Sequence, residues 1–129
     1  MSDRDIFAKT IYAEARGEPQ EGWEAVAWVI KNRAHANRRH WGGSRIGAVC
    51  RQPYQFECWN GRDDIVIDDP ALYRRIKRVT DRIYDEPMSR DPTGGCDHYN
   101  NPQKEGYPDW TRKCNRKMEI GNHVFYKEK

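Results

Sequence analysis

The chain has 129 residues and a formal net charge of +3. This length corresponds to one domain with its own core, so we expect residues 1–129 to form a single domain. Charged residues make up 33% of the chain and hydrophobic residues 36%, which is a polar but globular composition. No apolar run approaches the roughly 18 residues of a membrane span, so we expect no membrane-spanning segment in this chain. The small positive charge favours an anionic polymer as partner, whether cell wall or nucleic acid.

Capping residues near the N-terminus predict a first helix that ends at about residue 15. Ser2 is a suitable N-cap, and Asp5 lies three residues later, in a variant of the capping box. Gly17 and Pro19 then interrupt the helical pattern. The chain is therefore expected to turn immediately after this helix.

Glu14 is the candidate catalytic residue of the first helix. Helical spacing places it on the apolar face that contains Phe7 and Ile11. A carboxylate in that position is costly to bury as an anion, so either its pKa rises or it finds a partner. A half-buried glutamate at a helix end is a suitable proton donor near neutral pH. The structural alternative is an ion pair with Arg16 or Arg33.

Two further helices are predicted from their apolar stripes. Pro19 suits the first turn of a second helix, and Asp68-Asp69-Pro70 suits the start of a third, which ends before Pro87. The inward-facing residues recur at helical spacing. They are Trp23, Val26, Ala27, Ile30 and Ala34 in the second helix and Leu72, Ile76, Val79 and Ile83 in the third.

The remaining segments predict loops and a small β element. Residues 46–60 are expected to be a loop with short extended pieces, because Pro53 is unfavourable in a central strand. Residues 98–100 form a candidate strand, a last strand is expected over residues 120–126 in pairing with the segment 97–100, and residues 101–117 are loop-rich. The basic segment 38–45 is a solvated loop or, alternatively, a nucleic-acid contact.

Four cysteines, Cys50, Cys58, Cys96 and Cys114, allow three disulfide pairings that the sequence does not distinguish. We expect the two local bridges, Cys50–Cys58 and Cys96–Cys114. Free buried thiols are the alternative, since a chain made in the cytosol begins in a reducing compartment. The spacings do not fit a zinc site, so no metal and no cofactor are predicted.

Several segments, in order along the chain, resemble motifs of the SleB/CwlJ-type cell wall hydrolases. This family contains spore cortex-lytic enzymes and related bacterial and phage domains that degrade peptidoglycan. The segments are YAEARGEP at 12–19, VAWVIKNR at 26–33, QF at 55–56, DPTGG at 91–95, HYN at 98–100 and GNHVFY at 121–126. The resemblance extends from about residue 5 to residue 126.

The resemblance implies a fold and an activity. The fold would be α+β and mainly helical, a lysozyme-like or lytic transglycosylase-like domain with a small antiparallel β element. The activity would be a glycosidase that cleaves the β-1,4 bond between N-acetylmuramic acid and N-acetylglucosamine, with Glu14 as general acid and base in a lytic transglycosylase-type reaction. The alternatives are a hydrolytic muramidase, which uses a second carboxylate from Glu18 or Glu57, and a non-catalytic peptidoglycan-binding module.

The resemblance also implies residues that assist Glu14. Glu18 would be a supporting residue, although capping of the second helix is its simpler role. Gln55, Phe56, His98 and Tyr99 would contact the substrate. Glu57 departs from the family pattern, where we expect a small polar residue.

The expected partner is a peptidoglycan glycan strand bound by a monomer, with no nucleic acid. The N-terminal residues lack the apolar segment of a secretory signal, so we expect synthesis in the cytoplasm and action on the wall, in the periplasm or outside the cell. A phage endolysin released by a holin, a virion-associated lysin and a bacterial protein exported by another route all fit this expectation.

Overall fold

The computed structural model describes all 129 residues, and most of them form helices. The α-helices are α1 (Asp3–Ala15), α2 (Gln20–Ala36), α3 (Ile46–Arg51), α4 (Pro70–Asp85), α5 (Pro102–Glu105) and α6 (Asp109–Arg112), and three short 3₁₀ helices are Arg39–Trp41, Glu57–Trp59 and Met88–Arg90. None of them combines the length and the apolar character needed to cross a bilayer. The predicted class, α+β and mainly helical, is confirmed.

Helix α1 begins and ends where the sequence predicts. The Ser2 hydroxyl accepts a hydrogen bond from the Asp5 backbone N–H at 3.1 Å, which satisfies a donor that the first helical turn leaves free. Phe7 and Ile11 on the inward face are completely buried. These contacts fix the rotation of α1 about its axis, and hence the direction in which Glu14 points.

Helix α2 lies at the centre of the core. Its residues from Ala25 to Ile30 are all at most 2% exposed, as expected of a helix that has neighbours on every side. Helices α1 and α4 supply much of the apolar surface around it, including Ile76 and Ile83 of α4. The predicted inward stripes of α2 and α4 are confirmed.

Helix α3 occupies a segment that was predicted as loop with extended pieces, and that prediction is wrong. Ile46, Val49 and Cys50 are buried in the core cluster. Gly47 allows a close approach to α1, because a Cβ atom there would lie 2.4 Å from Asp3 Oδ1. A helix of six residues has little stability of its own, so this burial accounts for α3 better than any local signal does.

Three antiparallel strands form one sheet in the order β1-β3-β2. They are β1 (His98–Asn100), β2 (Cys114–Ile120) and β3 (His123–Glu128). The predicted pairing of residues 98–100 with the last strand is confirmed, with Tyr99 opposite Phe125.

The prediction of a loop through residue 117 and a single strand over residues 120–126 is wrong. A turn at Gly121 divides this region into the hairpin of β2 and β3. The β2 strand carries exposed charged residues, and a register shift between Arg116 and Met118 interrupts its alternation. The sequence pattern of β2 therefore lacks the regular period of two by which a strand is identified.

All four cysteines are free, so the expected disulfides Cys50–Cys58 and Cys96–Cys114 are not present and the alternative of free thiols holds. Cys50 is completely buried, and burial raises the pKa of its thiol to about 12. The Cys96 thiol donates to the Thr93 carbonyl at 3.3 Å within a buried turn. Both thiols are thus held as protonated core groups.

A side-chain clamp joins the turn between α1 and α2 to the turn between β2 and β3. The Glu18 carboxylate accepts hydrogen bonds from the Asn122 backbone N–H at 2.8 Å and from Asn122 Nδ2 at 2.9 Å. Gly121 has a φ of 57°, and a Cβ atom there would lie 2.5 Å from Glu18 Oε1 and 3.1 Å from Pro19 Cδ. The clamp holds the sheet against the end of α1.

Gly121→Ala is expected to destabilise the fold by more than the roughly 1–2 kcal/mol that a left-handed backbone costs a non-glycine residue, because the methyl group also displaces Glu18. The measurement is the free energy of unfolding in urea. Gly61→Ala is the matched control, since Gly61 has a φ of 69° and no atom within 4 Å of the added Cβ. Equal losses in the two variants would contradict the clamp.

Candidate active site

Glu14 lies at the C-terminal end of α1 and is half-buried. Its Oε1 atom accepts a hydrogen bond from the Tyr99 hydroxyl at 2.9 Å. Tyr99 is in the middle of β1, and its ring packs on His123 and Phe125 with centroids 5.1 and 5.9 Å away. The sheet therefore holds the hydroxyl that orients the Glu14 carboxyl.

Neither arginine that could neutralise Glu14 does so. Arg16 donates to the Tyr12 hydroxyl at 2.7 Å and forms an ion pair with Asp68. Arg33 donates from Nε to the Asp97 carbonyl at 2.7 Å and from Nη1 to Gln55 Oε1 at 3.2 Å. The structural alternative for Glu14, an ion pair with Arg16 or Arg33, is not formed.

Burial raises the pKa of the Glu14 carboxyl above its usual value. Hydrogen bonding by Tyr99 and by the nearby Cys58 thiol opposes this shift, and the charges of Glu57 and Glu105 reinforce it. The net result is a raised pKa, which keeps the proton on Glu14 at a higher pH than on an exposed glutamate. A raised pKa is the property expected of a carboxyl group that serves as a general acid.

Glu14 lines two depressions in the surface. The first cavity has a volume of about 470 Å³ and is lined by Glu14, Arg33, Gln55, Phe56, Glu57, Tyr99, Lys104 and Glu105. The second cavity has a volume of about 440 Å³ and is lined by Ala13, Glu14, Glu57, Cys58, Asn60 and Arg62. The two cavities share Glu14 and Glu57 in their linings, and together they are called the groove below.

Size alone does not distinguish this groove. Two other depressions of about 410 Å³ each lie beside α2, near His35 and Met88. One of them has no carboxylate in its lining, and the other contains Asp91 and Asp97. Asp91 accepts hydrogen bonds from Asn32, Thr93 and Gly95, and the pKa of Asp97 is lowered, so neither carboxylate resembles a proton donor.

The structure brings four of the predicted site residues together with Glu14. Gln55, Phe56, Glu57 and Tyr99 all line the first cavity, and Glu57 also lines the second. Tyr99 donates directly to the candidate acid, which is a more specific contact than the substrate binding expected of it. The Gln55 side-chain oxygen accepts from Arg33, and its amide N–H₂ has no protein acceptor.

Two predicted residues lie outside both cavities. The Glu18 carboxylate is bound to Asn122, and it does not cap α2, where Pro19 stands at the N-cap without a side-chain hydrogen bond. His98 Nδ1 lies 2.9 Å from Asp97 Oδ1, and its ring packs against Trp41 and Trp110. We therefore assign Glu18 and His98 to the scaffold of the site.

Three residues of the first cavity were not predicted as site residues, namely Arg33, Lys104 and Glu105. Arg33 is a buried arginine on a core helix, which is an unusual residue for such a position, and this is the signal that could have identified it. Lys104 and Glu105 lie on the short helix α5 in a segment expected to be loop. Their place in the lining of the first cavity is set by the tertiary fold, because no local pattern in this segment predicts it.

Comparison with known proteins identifies the family of the chain. The family model of the cell wall hydrolases matches residues 17–126. The chain belongs to the cell wall hydrolase family. The match begins three residues after Glu14, so the family model itself says nothing about Glu14.

Longer relatives align over nearly all of this cell wall hydrolase. It is 31% identical over 127 residues to a spore cortex-lytic enzyme of Halalkalibacterium halodurans, covering 96% of this chain and 35% of that protein. It is 30% identical over 129 residues to a spore cortex-lytic enzyme of Oceanobacillus iheyensis, covering 98% of this chain and 42% of that protein. The chain thus spans less than half the length of these relatives.

Two solved structures share the fold of this cell wall hydrolase. One is the catalytic domain of the germination-specific lytic transglycosylase SleB from Bacillus anthracis, with a TM-score of 0.70, 28% identity and coverage of 97% of this chain and 93% of that one. The other is the catalytic domain of the Bacillus cereus SleB protein, with a TM-score of 0.72, 28% identity and coverage of 97% and 89%. The expected SleB-like, lysozyme-like fold is confirmed.

One cluster of potential metal ligands lies outside the groove of the hydrolase. Asp97, His98 and Glu128 each bring one ligand atom within 4.8 Å of the others. Asp97 Oδ1 already accepts a hydrogen bond from the Glu128 backbone N–H at 2.9 Å, and Glu128 forms an ion pair with Arg38 at 2.7 Å. The cluster therefore has protein partners for its charges.

Glu14→Gln is expected to be more thermally stable than the wild type at about pH 8 and to lose this advantage at about pH 4. The folded state binds the Glu14 proton more tightly than the unfolded chain does, because folding raises the pKa. The stabilisation from this proton is complete below the unfolded pKa and is lost as the pH rises through the folded pKa. Glutamine is neutral throughout, so it avoids that loss.

The measurement is the thermal midpoint as a function of pH. Glu21→Gln is the control, since Glu21 is an exposed carboxylate in the first turn of α2, where a negative charge is favourable. Equal thermal midpoints of the wild type and Glu14→Gln at alkaline pH would contradict this prediction, because they would show that ionisation of Glu14 does not destabilise the folded state.

Proposed function

We propose that this chain degrades peptidoglycan by cleaving the β-1,4 bond between N-acetylmuramic acid and N-acetylglucosamine, with Glu14 as general acid. Membership of the cell wall hydrolase family and the names of the relatives, spore cortex-lytic enzyme and lytic transglycosylase, support the reaction class. The position of Glu14 supports the assignment of the acid.

The observation that carries the proposal is that Glu14 lines both the first and the second cavity. An enzyme that breaks a bond within a glycan strand must bind sugars on both sides of the bond and place its acid at the junction. Glu14 occupies such a junction, with a pKa that favours the protonated form. A proton donor at this place can contribute about 10²–10⁴-fold to the rate.

In the first step, Glu14 donates its proton to the glycosidic oxygen, and the C–O bond to the muramic acid C1 breaks. Positive charge develops on that sugar. Glu57 and Glu105 line the first cavity and place negative charge beside it. Glu14 is left as a carboxylate that keeps the hydrogen bond from Tyr99.

In the second step, the Glu14 carboxylate removes the proton from the 6-hydroxyl of the same muramic acid, and the oxygen bonds to C1. The product is a 1,6-anhydro sugar, and Glu14 is protonated again. This sequence needs one carboxylic acid and consumes no water. It fits a groove in which Glu14 is the half-buried carboxylate whose pKa is raised.

A hydrolytic muramidase is the second candidate, and the position of Glu57 favours it. Glu57 is exposed and lines both cavities with Glu14, so its carboxylate can reach a water molecule or the sugar. Glu18, the other carboxylate considered, is bound to Asn122 at the hairpin turn and does not serve this reaction.

The substrate places the activity at the cell wall, in the periplasm or outside the cell. One chain should suffice, because both cavities are lined by residues of a single chain. We therefore expect a monomer to be active on a glycan strand.

Glu14→Gln is expected to reduce the clearing of purified cell walls by at least about 10²-fold, because the amide cannot donate the required proton. The measurement is the turbidity of a suspension of sacculi, with Glu21→Gln as a control of the same chemical change on the surface. Near wild-type clearing by Glu14→Gln would refute the assignment. Binding of sacculi by the wild type without release of fragments would indicate a non-catalytic module.

Mass spectrometry of the released fragments is expected to show 1,6-anhydromuramic acid ends, and Glu57→Gln is expected to form the same products. Reducing muramic acid ends in the wild type, together with loss of activity in Glu57→Gln, would instead establish the hydrolytic mechanism with Glu57 as the second carboxylate.

A further inference from the structure

Arg33 is a buried cation on the wall of the first cavity. The residue is 8% exposed, and its side chain lines the cavity that also contains Glu14 and Tyr99. Its two hydrogen-bond acceptors are the backbone carbonyl of Asp97 and the side-chain oxygen of Gln55, and both are uncharged. Asp97 affects the guanidinium through space without a direct ion pair.

Burying a guanidinium group with uncharged acceptors is unfavourable, because the lost hydration is only partly replaced. The consequence is visible in the pKa of Arg33, which burial lowers from its usual value. An anion bound at the exposed edge of the Arg33 guanidinium would offset the unfavourable free energy of burying it. A charge-assisted contact in such a site is stronger than the same contact in water.

The guanidinium is also held in a fixed orientation. Its Cζ atom lies over the rings of Trp41 and Phe56, 5.5 and 5.8 Å from their centroids. The hydrogen bonds use Nε and one Nη1 proton, and they leave Nη2 without a protein acceptor. A planar group fixed in this way presents a fork that matches the two oxygens of a carboxylate.

We infer that Arg33 recognises a carboxylate on the lactyl branch of muramic acid, either that of the lactyl group itself or one on the peptide attached to it. This inference rests on the proposed function. It places the muramic acid in the first cavity and the N-acetylglucosamine in the second. Arg33 is thereby a specificity-determining residue that sets the register of the glycan strand relative to Glu14.

Two other cations line the groove, but they are less suited to this role. Lys104, in the first cavity, and Arg62, in the second, are both exposed. Exposed cations keep their hydration and are screened by salt, so they discriminate little between a charged and a neutral sugar branch. Arg33 is the buried cation of the groove.

The test compares three glycan substrates with the wild-type enzyme. One is a peptide-free strand with free lactyl carboxylates, the second is the same strand with these carboxylates converted to amides, and the third carries its peptides. The KM for the amidated strand is expected to exceed that for the free acid by about 10- to 100-fold. A low KM for the peptide-bearing strand alone would identify a peptide carboxylate as the ligand.

Arg33→Gln is expected to abolish the difference in KM between the acid and amidated strands. Arg38→Gln is the matched control, because Arg38 also lies over the Trp41 ring but pairs with Glu128 outside the cavities, and it should keep the difference. Arg33→Lys keeps the charge without the fork and should keep part of the difference. Circular dichroism tests whether each variant is folded. The comparison of substrates with the wild-type enzyme does not depend on the folding of Arg33→Gln.

Wild-type KM values that are equal for the acid, amidated and peptide-bearing strands would overturn the role of Arg33 while leaving Glu14 as the acid. The role would also be overturned if Arg33→Gln retained the full discrimination. Failure of the wild type to cleave any strand would instead overturn the proposed function, and this inference with it.

Discussion

The constraint on which the site depends is the burial of the Glu14 carboxyl with a hydroxyl as its hydrogen-bond partner and no cation beside it. An arginine paired with Glu14 would lower the pKa of the carboxyl and remove the acid. Arg16 is only two residues away in the sequence, but it is bound to Asp68 and the Tyr12 hydroxyl. The cation nearest to Glu14 in the sequence therefore pairs with another anion, and burial remains the main cause of the raised pKa of Glu14.

That arrangement depends on elements that are distant in the sequence. Asp68 belongs to the segment that leads into α4, and Tyr99 belongs to β1, which is held by β3. The Glu18 clamp fixes the hairpin containing β3 against the turn that follows α1. Helix packing sets the depth of Glu14, and the sheet sets its hydrogen bond, so neither layer alone would produce the site.

The sequence predicted those parts of the molecule that depend on local pattern, namely the helices α1, α2 and α4, the strand β1 and the half-buried position of Glu14 at a helix end. It failed for α3 and β2, where a short helix is stabilised by burial and a register shift interrupts the alternation of a strand. It also placed His98 in the site and left out Arg33. Adjacent residues of a strand point to opposite sides, so the motif that contains both His98 and Tyr99 could contribute only one of them to the groove.

The charged residues of the groove differ in burial, and burial determines how strongly each of them influences its neighbours. Arg33 is buried in the wall of the first cavity, whereas Glu57 and Glu105 are exposed at its opening. The negative charges of Glu57 and Glu105 add to the effect of burial on Glu14, but solvent and salt screen them, so burial remains the main cause of the raised pKa. Arg33 acts on the pKa of Tyr99, and it is not among the main influences on Glu14. The groove thus combines a carboxyl group of raised pKa with an oriented cation, and direct contact between the two would lower that pKa.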